Sequence, residues 1–357
     1  MTHPEPMKAL VYHGPFDLRV EERPRPWATG PDDVVVRVRR TGICGTDIGI
    51  ATGKYTATPG VVLGHESVAE VAETGPGVTD LPVGTPVVVN PTYYCGSCPP
   101  CRSGRENHCA RKHETEAGVS ADGLFAEYYL TTRTFLHPIP AGNDRPAMVL
   151  GEPLSCAMTG VRRLRLTPQL RAAVLGAGPM GVMYASLLAQ QGLTGVLVEA
   201  SPARAGALRE ALPGLWPVVG TLSEAAERLA RPGTGLDVVV DTTGVLLEEA
   251  LGVLNPGGQL LLVGLSGGTA TIDPARIADN SIQVIGSIDS LGTFGDAVEL
   301  LANGALPLDG AVTAEVPLEE FARAFALLGV DLEAGHRTEP TGHLKVCLTP
   351  ATAGKEQ

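Results

Sequence analysis

Four cysteines crowd into one short loop of the sequence. Their spacing is C-x2-C-x2-C-x7-C, and they are Cys95, Cys98, Cys101 and Cys109. Four thiolates on a loop rich in glycine and proline can close tetrahedrally around one zinc ion. Unrelated buried cysteines do not recur at such short intervals, and ferredoxin-type iron–sulfur spacing differs. Because four thiolates leave no open coordination position, we expect a structural zinc here.

A second set of metal-binding residue types is scattered over three segments. Cys44 lies in Gly-Ile-Cys-Gly-Thr-Asp, His65 and Glu66 lie in Leu-Gly-His-Glu-Ser, and Glu152 lies in Gly-Glu-Pro-Leu. A thiolate, an imidazole and a carboxylate are the ligand types of a zinc site that keeps an open position. Each residue alone says little, since a single cysteine is usually core and a Gly-His-Glu is usually a loop. Their occurrence together favours a second, catalytic zinc, and so two zinc ions per chain.

A glycine-rich turn follows later in the chain. The residues Gly176-Ala177-Gly178-Pro179-Met180-Gly181 come after a hydrophobic strand candidate and open a helix candidate. Glycines allow a tight turn and a close approach to a pyrophosphate, which then faces the helix N-terminus. A bare G-x-G-x-x-G is weak, but here a strand, a helix and an acidic residue at the right distance accompany it. The turn is therefore predicted to bind a dinucleotide.

Glu199, at the end of the next strand candidate, bears on the choice of dinucleotide. A carboxylate there binds the ribose diol of adenosine and repels a 2′-phosphate, so NAD is preferred. Arg204 lies five residues further on and could tolerate a phosphate, so NADP is possible. Thr243 follows a later strand candidate, at the edge of the sheet where the cofactor is expected to bind. Asp241, at the end of that strand, either contributes to this edge or is a turn residue.

The elements that must position these residues fall into two parts. To about residue 140 the sequence alternates short β-rich runs, such as 34–38 and 87–89, with many turns. A helical pattern over 151–166 follows, and strands then alternate with helices, which implies a parallel, doubly wound sheet. The predicted strands are 172–175, 195–199, 236–241, 259–263 and 282–285. The predicted helices include 181–191, 202–211 and 295–302, and a last strand spans 344–348.

Length and composition narrow the class of protein. At 357 residues the chain exceeds the size of one hydrophobic core, so two domains are expected. A formal charge of −12 argues against nucleic acid and anionic membranes as partners. No apolar run is long enough to cross a bilayer, and the start of the sequence carries no signal-peptide core. A cysteine cluster in a reducing compartment suits a metal, so a cytoplasmic location is expected.

In motif and order the sequence resembles the zinc-dependent medium-chain alcohol dehydrogenases, and within them the sorbitol, threonine and glucose dehydrogenases of the polyol and sugar branch. The order is an early ligand cysteine, a Gly-His-Glu about twenty residues later, a four-cysteine lobe, a Glu-Pro segment and a dinucleotide fold. The resemblance covers almost the whole chain. It implies a GroES-like, β-rich catalytic domain of residues 1–154 and 293–357, and a Rossmann NAD-binding domain of residues 155–292.

The resemblance also implies roles for the scattered donors. Cys44 and His65 are expected to bind zinc directly, whereas Glu66 and Glu152 bind it directly or through water and exchange as substrate arrives. Thr46 matches the hydroxyl residue that accepts the proton of the alcohol. Zinc lowers the pKa of the bound hydroxyl, and a hydride passes to the nicotinamide ring.

Two further positions bear on substrate and proton. Glu116 resembles a position that contacts sugar hydroxyls in glucose dehydrogenases, although a surface glutamate in a loop has the same appearance. Many relatives carry a histidine two residues after the Asp of the Cys-Gly-Thr-Asp motif, where it relays the proton to solvent. Here that position is Gly49, which leaves the route of the proton open.

The expected function is hydride transfer between a nicotinamide cofactor and a polyol-like, sugar-like or cyclitol secondary alcohol or its ketone. A ketone reductase or a redox-neutral epimerase with retained NAD is the alternative enzyme. A non-catalytic, zinc-bearing interaction protein is the alternative outside enzymes, although the complete ligand set speaks against it. The family resemblance also suggests a homodimer or homotetramer that pairs through an edge strand at Gln283–Gly286.

Overall fold

The computed structural model describes residues 6–143, 145–229, 234–265, 268–339 and 341–350. The strands are β1 (Pro6–Gly14), β2 (Asp17–Pro24), β3 (Asp33–Gly42), β4 (Glu66–Thr74), β5 (Pro86–Val89), β6 (Tyr128–Thr132), β7 (Leu136–Pro138), β8 (Arg171–Leu175), β9 (Thr194–Val198), β10 (Val218–Val219), β11 (Leu236–Asp241), β12 (Leu254–Leu262), β13 (Gln283–Gly286), β14 (Val312–Pro317), β15 (Val330–Asp331), β16 (His336–Arg337) and β17 (Lys345–Thr349).

Helices separate these strands. The α-helices are α1 (Gly45–Ala51), α2 (Pro99–Arg102), α3 (Lys112–Thr115), α4 (Gly151–Val161), α5 (Pro179–Gln190), α6 (Pro202–Ala211), α7 (Leu222–Leu229), α8 (Leu247–Val253), α9 (Pro274–Asp279), α10 (Phe294–Ala302) and α11 (Phe321–Leu327). Short 3₁₀ helices span Glu106–His108, Arg133–Phe135, Pro146–Leu150, Asp309–Ala311 and Leu318–Glu320. Within the described residues, no helix is long and apolar enough to cross a membrane.

The chain divides into two compact units. The first comprises Met1–Glu152 and Phe294–Gln357, and the second comprises Pro153–Thr293. In the first unit, strands form a seven-stranded sheet in the order β14-β17-β3-β4-β5-β7, with β6 paired to β3. Its pairs are antiparallel except for β14 with β17. The C-terminal strand β17 therefore lies directly beside β3, which ends just before α1.

The second unit is built on a parallel sheet of six described strands. Their order is β10-β9-β8-β11-β12-β13, and every neighbouring pair is parallel. All five residues of β8 are buried, as expected for a strand covered on both faces. The strand order reverses between β8 and β11, and in such sheets a ligand binds at the carboxyl ends of the strands at that point.

The predicted helix over 151–166 ends earlier, at Val161. A contact from elsewhere in the sequence explains the difference. The side-chain amide of Gln259 accepts a hydrogen bond from the backbone N–H of Arg165 at 2.7 Å and donates one to its carbonyl at 2.9 Å. These are the backbone groups that a longer helix would have used internally, so tertiary structure overrides the local pattern.

Candidate active site

The four cysteines of the lobe converge as their spacing predicts. All four Sγ atoms lie within 4.8 Å of one another. Cys98 Sγ is 3.3 Å from Cys101 Sγ and 3.9 Å from Cys109 Sγ, and Cys95 Sγ is 4.0 Å from Cys101 Sγ. A tetrahedral zinc ion with bonds of about 2.3 Å needs sulfurs about 3.8 Å apart. The donor set therefore fits one zinc ion with four thiolate ligands.

Backbone amides of the lobe support the thiolates of Cys95 and Cys98, whereas burial raises the pKa of Cys101 to about 12. The amide of Cys98, at the start of α2, donates to Cys95 Sγ at 3.4 Å, and the amide of Ala110 donates to Cys98 Sγ at 3.5 Å. Hydrogen bonds from Ser97 and Cys98 lower the pKa of Cys95 to about 5. Since zinc binds the deprotonated sulfur, these amides favour metal binding.

Two aromatic residues, the half-buried Tyr93 and the exposed Tyr94, anchor the start of the lobe to the sheet. The Tyr93 hydroxyl lies 2.9 Å from the Tyr129 hydroxyl and 2.9 Å from Thr131 Oγ1, both on β6. The rings of Tyr93 and Tyr94 each meet Phe135 edge-on, with centroids 4.5 and 5.2 Å apart. The lobe thus leaves the sheet from a fixed point two residues before Cys95.

A second cluster of potential metal donors draws together Cys44, His65 and Glu66. One donor atom from each of these residues lies within 4.8 Å of the others. Cys44 precedes α1 at the end of β3, whereas His65 and Glu66 stand at the start of β4, and Gly42 pairs with Glu66 across the two strands. Neighbouring antiparallel strands thus bring the three donors to one end of the sheet.

Asp47 links the two chain segments that carry these donors. It is fully buried, and its carboxylate accepts hydrogen bonds from the amides of Cys44 at 2.8 Å and Gly64 at 3.3 Å. Its Oδ1 also lies 3.8 Å from His65 Nδ1. Burial raises the pKa of Asp47, while His65 opposes that rise. A carboxylate behind a histidine is the usual support for a metal-binding imidazole.

His65 fits a ligand role. Its Nδ1 is buried and forms no hydrogen bond within the described residues. Burial alone would lower the pKa of His65, but the negative charges of Asp47, Cys44 and Glu152 raise it well above its usual value. These negative charges therefore favour a cation at this position, and they would also stabilise a bound metal ion.

Lys345 is a buried cation beside this centre. Its Nζ lies 2.5 Å from Glu66 Oε2 and 3.0 Å from the carbonyl of Ile43, and it is 2% exposed. Burial would lower the pKa of Lys345, but Glu66 and Cys44 raise it. A Cβ on Gly42 would stand 2.7 Å from Glu66 Oε2 and 3.0 Å from Lys345 Cδ. The close ion pair therefore requires glycine at position 42.

Glu152 and Thr46 lie at the margin of the donor cluster. Among the described residues, Glu152 does not belong to the group within 4.8 Å, but its charge raises the pKa of His65. It is half-buried in the first turn of α4. Thr46 stands on the first turn of α1, and its Oγ1 lies 3.8 Å from Cys44 Sγ. Its hydroxyl is thus placed beside a predicted zinc ligand.

Glu116 has partners of its own. One carboxylate oxygen lies 3.3 Å from Lys112 Nζ, and the other lies 3.6 Å from His113 Nδ1. Both partners come from α3, which ends just before Glu116. The predicted contact with a sugar hydroxyl would therefore compete with the Lys112 ion pair and the His113 contact, and it stays a prediction.

The glycine turn of the second unit has the geometry that a dinucleotide needs. Gly176 has a φ of +89°, which side chains disfavour, and a Cβ on Gly181 would lie 1.8 Å from the Gly176 carbonyl. Gly178 caps α5, and a Cβ there would meet nothing within 4 Å. Pro179 and Met180 form the first turn of α5. The helix N-terminus is thus open where a pyrophosphate would lie.

Glu199 stands at the edge of a cavity of 710 Å³ that also includes Arg204. Its carboxylate accepts hydrogen bonds from the amides of Ala177 at 3.1 Å and Ser201 at 2.8 Å. Arg204 Nη1 lies 3.4 Å from Glu199 Oε2, so the predicted acid and the predicted cation form an ion pair. The carboxylate is therefore fixed beside the glycine turn.

Thr243 lines the same cavity. Its amide and hydroxyl donate to Asp241 Oδ1 at 2.8 and 2.6 Å, and the amide of Gly244 donates to the same oxygen at 2.9 Å. Asp241 is fully buried. It therefore organises the turn after β11, which is the turn role that the sequence left open.

Sequence reasoning overlooked Lys345 and Asp47 as parts of the site. Lys345 is the first residue of an apolar strand. Because a lysine is rarely buried without a partner of opposite charge, its position indicates a buried acidic partner. Nothing in the sequence identifies the partner, because Glu66 lies 279 positions earlier. Asp47 was visible only as a member of the Cys-Gly-Thr-Asp motif.

Family models match both parts of the chain. The model described as the alcohol dehydrogenase GroES-like domain matches residues 30–141, and the model described as zinc-binding dehydrogenase matches residues 179–303. These matches confirm the predicted combination of a GroES-like domain and a Rossmann-type domain. They also agree with the two donor clusters and the glycine turn described above.

Individual relatives match over nearly the full length. The chain is 31% identical over 333 residues to sorbitol dehydrogenase of Bacillus subtilis, which covers 90% of this chain and 93% of the relative. It is 30% identical over 330 residues to D-xylulose reductase A of Aspergillus niger, covering 89% and 92%. A solved structure of a Sinorhizobium meliloti protein described as a zinc-binding dehydrogenase, bound to NADP, shares 29% identity with a TM-score of 0.85, covering 97% and 99%. The chain belongs to the zinc-dependent medium-chain alcohol dehydrogenases, which are oxidoreductases that act on alcohol groups with a nicotinamide cofactor.

Proposed function

We propose that the chain oxidises a hydroxyl-rich secondary alcohol, such as a polyol, sugar or cyclitol, and reduces the matching ketone in reverse. The observation that carries this proposal is the donor set around Cys44 and His65. Its remaining acids are Glu66 and Glu152, so the site is more polar than one with a second cysteine ligand. The names of the relatives, a sorbitol dehydrogenase and a D-xylulose reductase, support the same substrate class.

Each residue of the donor cluster in the first unit has its own role in the proposed reaction. A zinc ion held by Cys44, His65 and one of the acids Glu66 and Glu152 would polarise the alcohol oxygen, and nicotinamide would accept the hydride. The Thr46 hydroxyl accepts the proton of the alcohol. Asp47 places a buried carboxylate 3.8 Å from the imidazole of His65, and Lys345 pairs with Glu66, so a cation stands beside each side of the acidic cluster.

We propose two zinc ions per chain and NAD as the preferred cofactor, with NADP tolerated. The carboxylate of Glu199 is held by two amides and suits a ribose diol. Arg204 lies 3.4 Å from this carboxylate, close enough to bind a phosphate on the same ribose. Glu199→Ala should reduce the ratio of kcat/KM for NAD over NADP by about tenfold or more, about 1.4 kcal/mol. Arg204→Ala is the matched control, since it should shift the ratio toward NAD. Wild-type protein that favours NADP would overturn this preference.

A substrate panel tests the central proposal. NADH absorbance should be followed with sorbitol, xylitol, myo-inositol, 2,3-butanediol, 2-butanol and benzyl alcohol. Because a site built for several hydroxyls is left with unpaired polar groups by a plain alcohol, the best polyol should exceed 2-butanol in kcat/KM by about 100-fold. Glu116→Ala should narrow that ratio if Glu116 contacts substrate. Equal turnover of 2-butanol and the best polyol would contradict the proposal.

The redox-neutral alternative makes a different prediction. An epimerase would keep its NAD and release no NADH in the steady state, whereas a dehydrogenase forms NADH in proportion to the alcohol consumed. The same absorbance assay, run over many turnovers with product analysis, therefore separates the two activities.

Assembly as a homodimer or homotetramer is also proposed. Strand β13 lies at one edge of the described six-stranded sheet, and its Val284 is 37% exposed. An unpaired edge strand is a template for pairing with a second copy. Light scattering at micromolar concentration tests this, and a monomer would contradict it. A cytoplasmic location is proposed because the four-thiolate lobe needs a reducing compartment to stay free of disulfides.

A further inference from the structure

Oxidation of an alcohol releases a proton, and the structure leaves one question about its path. Thr46 stands in the first turn of α1 beside Cys44. Residues three positions apart on a helix share a face, with Cβ atoms about 5–6 Å apart. The next position on the Thr46 face is therefore Gly49, which has no side chain to continue the path.

The ring of Tyr55 occupies the space of that missing side chain. A Cβ on Gly49 would lie 2.2 Å from Tyr55 Cδ2 and 2.5 Å from Cε2, well inside any real contact. The ring therefore covers the same face of α1 as Thr46, about one helical turn away. It can only be there because position 49 is glycine.

The turn after α1 fixes this ring in place. The amides of Lys54 and Tyr55 both donate to the Gly49 carbonyl, at 2.7 and 3.0 Å. The ring packs, partly buried, against the core cluster that includes Ile50 and Ala51. Among the described residues, the Tyr55 hydroxyl has no hydrogen-bond partner, so it is available to water or ligand.

We propose that Tyr55 is a proton-relay residue that acts through Thr46 and takes the role a side chain at position 49 would have. This inference rests on the proposed function. Thr46 Oγ1 accepts the alcohol proton as it gives its own to a water or to Tyr55 Oη, and Tyr55 gives its hydroxyl proton to solvent. Each hydroxyl accepts one proton and donates another, so neither ionises. A bound nicotinamide cofactor would accept the hydride, so the balance is one proton released per alcohol oxidised.

Tyr55→Phe is the direct test, because it keeps the ring against Gly49 and removes only the hydroxyl. The best alcohol substrate is used, with kcat, KM and buffer dependence measured near neutral pH. The variant should lose about tenfold or more in kcat with little change in KM, since proton transfer by a positioned group typically contributes about 10²–10⁴-fold. Imidazole buffer should restore part of the rate in a concentration-dependent way, whereas wild type should be insensitive to it.

Tyr12→Phe is the matched control. Tyr12 is 5% exposed and packs in the same core cluster. Its variant should keep kcat within about twofold and show no rescue by imidazole. A Tyr55→Phe enzyme with wild-type kcat and no buffer dependence overturns the relay. If wild type itself fails to oxidise any alcohol, the proposed function fails instead, so the two failures are distinguishable.

A second experiment tests the geometry without relying on activity. Gly49→Ala should lower Tm by about 2 °C or more, because the new Cβ meets the ring. In a Tyr55→Ala background the same substitution should cost nothing. Gly49→His combined with Tyr55→Ala should then regain kcat relative to Tyr55→Ala alone, since an imidazole fills the vacated space. Equal Tm losses in both backgrounds, or no regain by the histidine variant, would contradict the proposal.

Discussion

The two clusters of potential metal donors in the first unit, the cysteine lobe and the mixed centre of Cys44, His65 and Glu66, differ in where their donors come from. The lobe takes four thiolates from fifteen consecutive residues, Cys95 to Cys109, and supports them with its own backbone amides. The other centre takes Cys44, His65 and Glu66 from separate strands and surrounds them with buried charges. The lobe brings together four identical donors, which fill a tetrahedral site, whereas the mixed centre brings together three donors of different types. A local, uniform set stabilises structure, and a dispersed, mixed set supports chemistry.

The largest effect should come from Cys44→Ser. A hydroxyl is a poor zinc ligand, so the variant should lose one of two zinc ions and about 10³-fold or more in kcat, while Tm changes little. Elemental analysis, kcat and Tm measured on one preparation check this. If intact wild-type protein carries one zinc or none, the comparison of two centres fails at its start.

Cys98→Ser should do the reverse. Loss of a lobe ligand should remove the other zinc and destabilise the fold by about 5 kcal/mol, because structural zinc contributes folding free energy directly. Denaturant unfolding at low temperature measures the loss. Molecules that remain folded should keep kcat within a few-fold of wild type, and a variant with full stability but no activity would contradict the division of roles.

Lys345→Met tests the buried charges around the mixed centre. It leaves the buried Glu66 carboxyl without its cationic partner, which should cost about 3 kcal/mol of unfolding free energy. The double variant with Glu66→Gln should recover much of that stability, since it removes the uncompensated charge. Chemical denaturation of the single and double variants completes the cycle. Independent, additive losses would show that the pair is not coupled.

The smallest effect should come from Tyr93→Phe at the base of the lobe. Removing this hydroxyl leaves Tyr129 and Thr131 with one hydrogen-bond partner fewer, at about 1 kcal/mol. Zinc content and kcat should not change, whereas Tm should fall by about 2–4 °C. Tyr93→Phe with reduced zinc content would mean that the anchor also shapes the metal site.

The contrast between the centres also explains what the sequence could predict. The cysteine lobe and the glycine turn are local patterns. The cysteine spacing predicted a zinc site, and the glycine turn, together with its strand, its helix and Glu199, predicted a dinucleotide site. The doubly wound sheet followed from the alternation of strands and helices, whereas the GroES-like domain followed from the family resemblance. Lys345 was missed because its partner Glu66 is reached only through the strand order β17-β3-β4. The early end of α4 was missed because Gln259, far along the chain, binds Arg165.

Gly49 is a second example of a feature that the sequence could not predict in full. The sequence revealed that a side chain was absent from the Thr46 face of α1. Only three-dimensional packing revealed that Tyr55, six residues later, fills the space. The sequence therefore shows which side chain is absent at position 49. Which other residue fills the space beside Gly49 depends on the three-dimensional packing.

The ion pair between Lys345 and Glu66 has a consequence for synthesis of the chain. The lobe can gather its four thiolates as soon as residue 109 has emerged, because all its donors are local. The mixed centre has its charges balanced only after β17, near the C-terminus, has docked beside β3. Pairings of such long sequence separation form late, after the intervening unit has been made. A nascent or C-terminally truncated chain should therefore carry the lobe zinc but hold the catalytic zinc poorly, so chemistry begins only in finished molecules.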